Sequence, residues 1–207
     1  MAGLKYFFIK SLREQIEKEL RAQMEKYVST RLKISHINSH LNTHMHPSIF
    51  KIILKLAEEF GAKNLRLTKD DLFLNLKLDR SALVYKLFHS LTFGILAKMY
   101  RKRLIKHGFR FTDVVYGLLQ SGNMNEMHVS GLLNNLKEGT SEIYFHPDSL
   151  PSENSDGKVA NYKYTEEFNT LLSQKIKRTI RDNSIQLVDY SFIKTNKAPL
   201  LCPTAMN

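Results

Sequence analysis

The sequence predicts an α/β protein built on a parallel sheet. Apolar segments at helical spacing alternate with short β-branched runs, and prolines and glycines fall where helices should start and stop. A length of 207 residues suits one hydrophobic core. Only four or five strand candidates occur, which is few for a closed barrel.

Each element has a local reason. Ser11-Leu12-Arg13-Glu14 has the form of a capping box, and Leu12, Ile16, Leu20, Met24 and Tyr27 follow at helical spacing, so an amphipathic helix is expected as far as Ser29. Residues 34–38 read as a short strand. A histidine-rich loop comes next, and Pro47 suits the first turn of a helix over 49–60 that Gly61 ends. Residues 64–67 read as a second strand, and the alternating 74–78 as a short extra one. A long apolar helix is expected over 81–106, with Gly94 the position at which it could break. After it come a strand over 114–119, a helix over 126–137 ended by Gly139, and a strand over 141–145 that delivers His146-Pro147. A polar loop over 149–163, a helix over 165–182, a strand over 185–188 and a loose tail from Asn196 complete the chain.

Composition sets the class. With 43% hydrophobic and 25% charged residues the chain should fold, and its formal charge of +11 invites partners that carry phosphate or anionic lipid. Most of the 31 Lys and Arg are interleaved with acids, and the densest basic run is Lys98, Arg101, Lys102, Arg103 and Lys106. Nucleic acid ranks last among partners, because no recognition motif accompanies the charge. The single cysteine, Cys202, allows no internal disulfide and no zinc finger, which fits a reducing compartment. The apolar part of the N-terminus is short for a signal peptide, so a cytoplasmic protein is expected.

The chemistry concentrates in His36-Ile-Asn-Ser-His40-Leu-Asn-Thr-His44-Met-His46-Pro47, which holds half of the chain's 8 histidines. Imidazole is a common ligand for borderline metals and a proton carrier near neutral pH, so this run suggests a metal-assisted hydrolytic site. The weak helix formers Asn38, Ser39, Asn42 and Thr43 favour a strand-end loop over a helix. His146 follows a predicted strand directly and could converge on the same rim. Carboxylates are scarcer: Asp70-Asp71 is expected to cap a turn, and Asp113 and Glu142 serve as ion-pair partners as readily as catalysts.

These residues resemble the YdjC-like carbohydrate deacetylases, and within them the hopanoid-biosynthesis-associated branch called HpnK. The histidine run looks like the family's central motif. Asp113-Val-Val-Tyr-Gly117 with Ser121-Gly-Asn-Met124 is similar to its middle motif, and Glu142-Ile-Tyr-Phe-His-Pro147 to its late strand motif. The resemblance implies an incomplete TIM-type (β/α) barrel lacking its first strands, with residues 1–195 as the C-terminal portion of a deacetylase domain and 196–207 as a flexible tail. It implies removal of an acetyl group from an N-acetylated sugar, free or glycolipid- or hopanoid-linked, with a divalent metal, Mg or Zn, activating water. Of the family's three metal ligands, one Asp and two His, only His40 maps onto this chain. The family's Asp-Asp-Phe-Gly motif has no counterpart, and Asp70-Asp71-Leu72-Phe73 is a superficial lookalike. By the same resemblance His146 polarises or protonates near the leaving amine, and His44 and Arg66 line the sugar site. The chain alone is then expected to be inactive, with the remaining strands supplied by a separate N-terminal fragment or a homo-oligomer.

A second class of function is association with a membrane surface without catalysis. Residues 83–99 are strongly apolar and lead into Arg101-Lys102-Arg103, while Lys86, His89 and Lys98 make the segment a poor membrane span. The competing reading is a buried barrel helix with a basic exit. A location peripheral to the inner membrane fits the first, and the two remain open.

Overall fold

The computed structural model describes residues 9–149 and 161–193, so the expected loop over 149–163 lies mostly, and the tail with Cys202 entirely, outside the described residues. The chain packs as two compact units. One comprises residues 1–66, 98–111 and 189–207, and the other residues 67–97 and 112–188.

The first unit begins with helix α1, Lys10–Ser29. The capping box does not form: Ile9 occupies the cap position, no side chain caps the helix, and Ser11 lies inside it. The apolar face is where the spacing puts it, but Leu12, Ile16, Leu20 and Met24 are only half-buried and Tyr27 is exposed. Ion pairs supplement that thin contact, with Arg21 on Glu59 and Lys55 on Glu17 at 2.6 Å. Helix α2, Pro47–Glu59, starts at its proline as expected. Gly61 follows with φ +72, a conformation that costs glycine little. The α2 side chains Phe50, Ile53, Leu56 and Ala57 are buried.

The strands expected over 34–38 and 64–67 reduce to single parallel bridges, Ile37 with Leu65 and Asn64 with Arg110. Their bonds alternate as a parallel sheet requires: Ile37 N–H donates to Asn64 O at 3.0 Å and Arg66 N–H to Ile37 O at 3.0 Å. The segment order 37, 65, 110 with helices between is the predicted α/β alternation, cut to one or two rungs. The ring of Phe50 stacks on Tyr100 with centroids 3.7 Å apart, and the Tyr100 hydroxyl donates to Met45 O at 3.1 Å. Burial pushes the Tyr100 phenol up to about 12.

The second unit contains the one regular sheet among the described residues. Strands β1, Val114–Tyr116, and β2, Ser141–Ile143, pair in parallel, with Val114 opposite Ser141 and Tyr116 opposite Ile143. Residues 74–78 are not a strand. They belong to helix α3, Leu72–Leu78, because the Asp71 side chain accepts from Leu74 N–H and closes the first turn, and a turn of helix rather than a pleat buries Leu74 and Asn75. Helix α4, Leu83–Lys106, begins among the residues of this unit, ends among those of the first, and continues through Gly94 without the break that the glycine allowed. Helix α5, Glu126–Leu133, is one turn shorter than expected. The helix expected over 165–182 is two, α6, Tyr164–Leu172, and α7, Gln174–Asp182. Ser173 leaves helical geometry between them at ψ +127, and its hydroxyl caps α7 through Lys175 N–H and Ile176 N–H. Residues 185–188 form no strand.

Leu74, Tyr116, Met124, Val129, Leu132, Leu133 and Ile176 make the core of this unit. Leu132 is fully buried, so Leu132→Ala should lower stability by about 2–5 kcal/mol through lost transfer energy and a residual cavity. Phe73 is 86% exposed, and Phe73→Ala should stay within about 0.5 kcal/mol of the parent in urea unfolding.

Candidate functional site

In the first unit the histidine run is a tight 3-10 turn, His40–Met45, directly after the bridge at Ile37. Two of its residues sit in the left-handed region, Leu41 at φ 53 and Asn42 at φ 54. Asparagine adopts that conformation readily and leucine does so at a cost of roughly 1 kcal/mol, so the surroundings must hold the turn. His44 and Ser39 supply the hold. Ser39 Oγ accepts from His44 N–H at 2.8 Å and bonds His44 Nδ1 at 2.8 Å, and His44 Nε2 lies 2.9 Å from Arg66 O. A carbonyl only accepts, so Nε2 carries the proton and donates, and in the neutral ring Nδ1 accepts from the Ser39 hydroxyl.

The four histidines therefore divide. His44 is fully buried with both ring nitrogens bonded. His46 caps α2, its Nδ1 accepting from Ser48 N–H at 3.3 Å. His36 stacks on Tyr190 with centroids 4.1 Å apart. His40 alone is exposed, at the start of the turn. His44 was expected to line a sugar site, yet its buried ring instead sets the shape of the turn that presents His40. Arg66 contributes its backbone, accepting from His44 and donating to Ile37, and the residue as a whole is half-buried.

In the second unit, His146 leaves β2 on a short extension in which Tyr144 N–H donates to Tyr116 O at 3.1 Å. A buried carboxylate then fixes the loop. Glu167, on α6, accepts from His146 N–H at one oxygen and from Met124 N–H at 3.0 Å at the other. The ring of half-buried His146 makes T-shaped contacts with Tyr162 and Tyr144, centroids 5.0 and 5.7 Å apart. Tyr162 bonds Ser121 through its hydroxyl at 2.6 Å and packs its ring over Gly122, where a Cβ would lie 2.2 Å from it. The segments of the middle and late motifs thus meet around Glu167 and Tyr162. Sequence reasoning missed both, because an acid in the first turn of a helix is usually a solvated dipole partner and Tyr162 falls within the stretch 149–163 read as a polar loop.

Of the acids Asp70, Asp71, Asp113 and Glu142, the first three hold neighbouring segments. Asp113 holds Thr140, accepting from its N–H and hydroxyl at 3.0 Å each. Asp71 caps α3 and pairs with Lys137 at 2.9 Å. Asp70 is buried, accepting from Asp71 N–H and Asn75 at one oxygen and from Leu119 N–H at the other; burial outweighs these bonds and pushes its carboxyl up to about 6. Lys86, buried on α4, donates to Asp79, whose pKa is lowered chiefly by the bonds it accepts from Ser81, Gln120 and Lys86, despite desolvation. Nearby burial, with Lys86 adding repulsion, pulls the His128 imidazole down to about 4. Among the described residues no three His, Cys, Asp or Glu side chains come together in a group that could hold a metal ion. The described residues therefore do not by themselves fit a complete metal centre.

A mixed α/β chain with parallel pairing and a histidine turn is the class these observations define. The family model for YdjC-like protein matches residues 1–182, and the chain belongs to that family. A carbohydrate deacetylase of Thermoanaerobacter pseudethanolicus is 25% identical over 182 residues, 87% of this chain and 61% of that protein. One of Brevibacillus brevis is 52% identical over 52 residues, 25% of this chain and 21% of that protein. A crystal structure from Enterococcus faecalis V583, described as a cellobiose-phosphate cleavage protein, shares the fold with a TM-score of 0.59 at 21% identity, over 86% of this chain and 60% of that one. The chain thus spans about three-fifths of the length of the relatives it matches most extensively.

Two results would check the site geometry. His44→Ala should cost about 2–4 kcal/mol in urea unfolding by stranding Ser39 and the Arg66 carbonyl, while His40→Ala should cost under about 0.5. The pH response has two opposed parts. The raised Asp70 pKa gives stability that is full below its ordinary 3.8 and lost as pH rises through about 6. The lowered His128 pKa gives stability present above its ordinary 6.5 and lost as pH falls through about 4. Asp70→Asn should therefore leave stability rising with pH between 4 and 6.5, and His128→Gln should leave it falling, when unfolding is measured across that range.

Proposed function

We propose that the chain carries part of a carbohydrate deacetylase that hydrolyses the acetamide of an N-acetylated sugar to a free amine and acetate. The observation that carries this reading is the exposed His40 on a turn whose other histidines are engaged within the unit, in a run that resembles the histidine motif of the family whose model matches residues 1–182. The deacetylases named among the relatives support the reaction class.

The reading assigns His40 as this chain's one ligand for a divalent metal, Mg or Zn, with the other donors lying outside the described residues. His146, its main chain clamped by Glu167, donates a proton to the departing amine. The Arg66 side chain faces the sugar, and His44 acts through the turn. The fold is read as an incomplete TIM-type barrel of the HpnK branch, and the acceptor as a glycolipid or hopanoid-linked sugar at the cytoplasmic face of the inner membrane.

One ligand holds a metal weakly, because metal-bound water at a catalytic centre ordinarily relies on three protein donors. Purified chain given N-acetylglucosamine oligomers with Mg or Zn should release acetate at least about 100-fold more slowly than the Thermoanaerobacter deacetylase, and His146→Ala should remove what remains. Equal turnover would refute the incomplete site. Failure of the oligomers to perturb His40 or His146 resonances at millimolar concentration would refute the sugar assignment.

A further inference from the structure

We propose that α4 is a contact helix that seats on an anionic lipid surface. Its 24 residues make a rod of about 36 Å. Val84, Phe88, Leu91, Ile95 and Met99 recur every three or four positions and so share one face, and that face is open: Val84 is 81% exposed, Phe88 65% and Leu91 66%. Leu83 and Leu87, also exposed, widen it. The same spacing continues into Lys102 and Lys106, with Lys98 beside them, all exposed. Lys86, Ala97, Tyr100 and Leu104, the buried residues of the helix, lie on the opposite side.

Charge identifies the occupant. No Asp or Glu occurs between Leu83 and Lys106, and of its six cations only Lys86 is buried and neutralised, by Asp79 at 3.1 Å. One exposed face thus runs from apolar to cationic, which lets side chains enter the acyl boundary at one end while ammonium groups hold phosphates at the other. A second copy would bring the same cations against a face with no acid to meet them, and the net charge of +11 adds to that repulsion. The described helices include none long and apolar enough to cross a membrane, so the contact is peripheral. This inference is independent of the deacetylase reading.

The test is co-flotation of the full chain with phosphatidylglycerol–phosphatidylcholine vesicles and with phosphatidylcholine alone. Binding should need the anionic lipid and weaken at high salt. Phe88→Ser with Ile95→Ser, and separately Lys102→Glu with Lys106→Glu, should each lower it about tenfold or more, with thermal melts unchanged because the sites are exposed. No flotation with anionic vesicles, equal flotation with neutral ones, or indifference to both double variants would overturn the proposal. So would self-association, by light scattering, that the same variants abolish in a chain that ignores vesicles.

Discussion

The histidine turn depends on one buried ring. His44 ties Ser39, which precedes the turn, to the carbonyl of Arg66, which lies 22 residues further on beside the bridge to Ile37. These bonds work as a pair: the first closes the turn on itself and the second fixes it to the neighbouring extended segment. Without the second, the left-handed pair Leu41 and Asn42 would have little to hold it, since a leucine in that region gains nothing locally. An imidazole suits the task because its two nitrogens, about 2 Å apart on a rigid ring, offer one donor and one acceptor in the neutral form.

In the second unit a carboxylate has the corresponding role. Each oxygen of Glu167 accepts a main-chain N–H, from His146 and from Met124, so two loops with no regular pairing between them are held at one point of α6. A buried acid is costly unless its oxygens find donors, and these two bonds meet that condition while setting the direction in which His146 leaves its strand.

The alternation of helix and strand was legible because it rests on apolar spacing and on Pro47 and Gly61, whose backbone preferences act locally. What the sequence hid was decided by tertiary context. Residues 74–78 alternate like a strand, but the Asp71 cap and the need to bury Leu74 with Asn75 make them helical. Residues 165–182 keep helical spacing throughout, but Ser173 serves better as a cap than as an interior residue, and two helices result. The pattern over 185–188 names β-branched residues without naming a partner strand, and none is there. At the site, the histidine run was visible as a run, whereas the division of labour within it was not. Spacing cannot say which imidazole is buried, because that depends on Arg66 and Tyr190, both distant in sequence.

Gly122 shows how a residue without a side chain can set a dimension. The volume its Cβ would fill is taken by the Tyr162 ring, whose hydroxyl is tethered to Ser121 and whose centroid lies 5.0 Å from that of His146. Gly122 therefore sets the seat of the phenol: the ring lies against bare main chain, and its distance from the imidazole follows from that depth. A methyl group at 122 would both strain a backbone held at φ +76 and displace that ring, so the packing beside the imidazole would change even though neither His146 nor Tyr162 had been substituted.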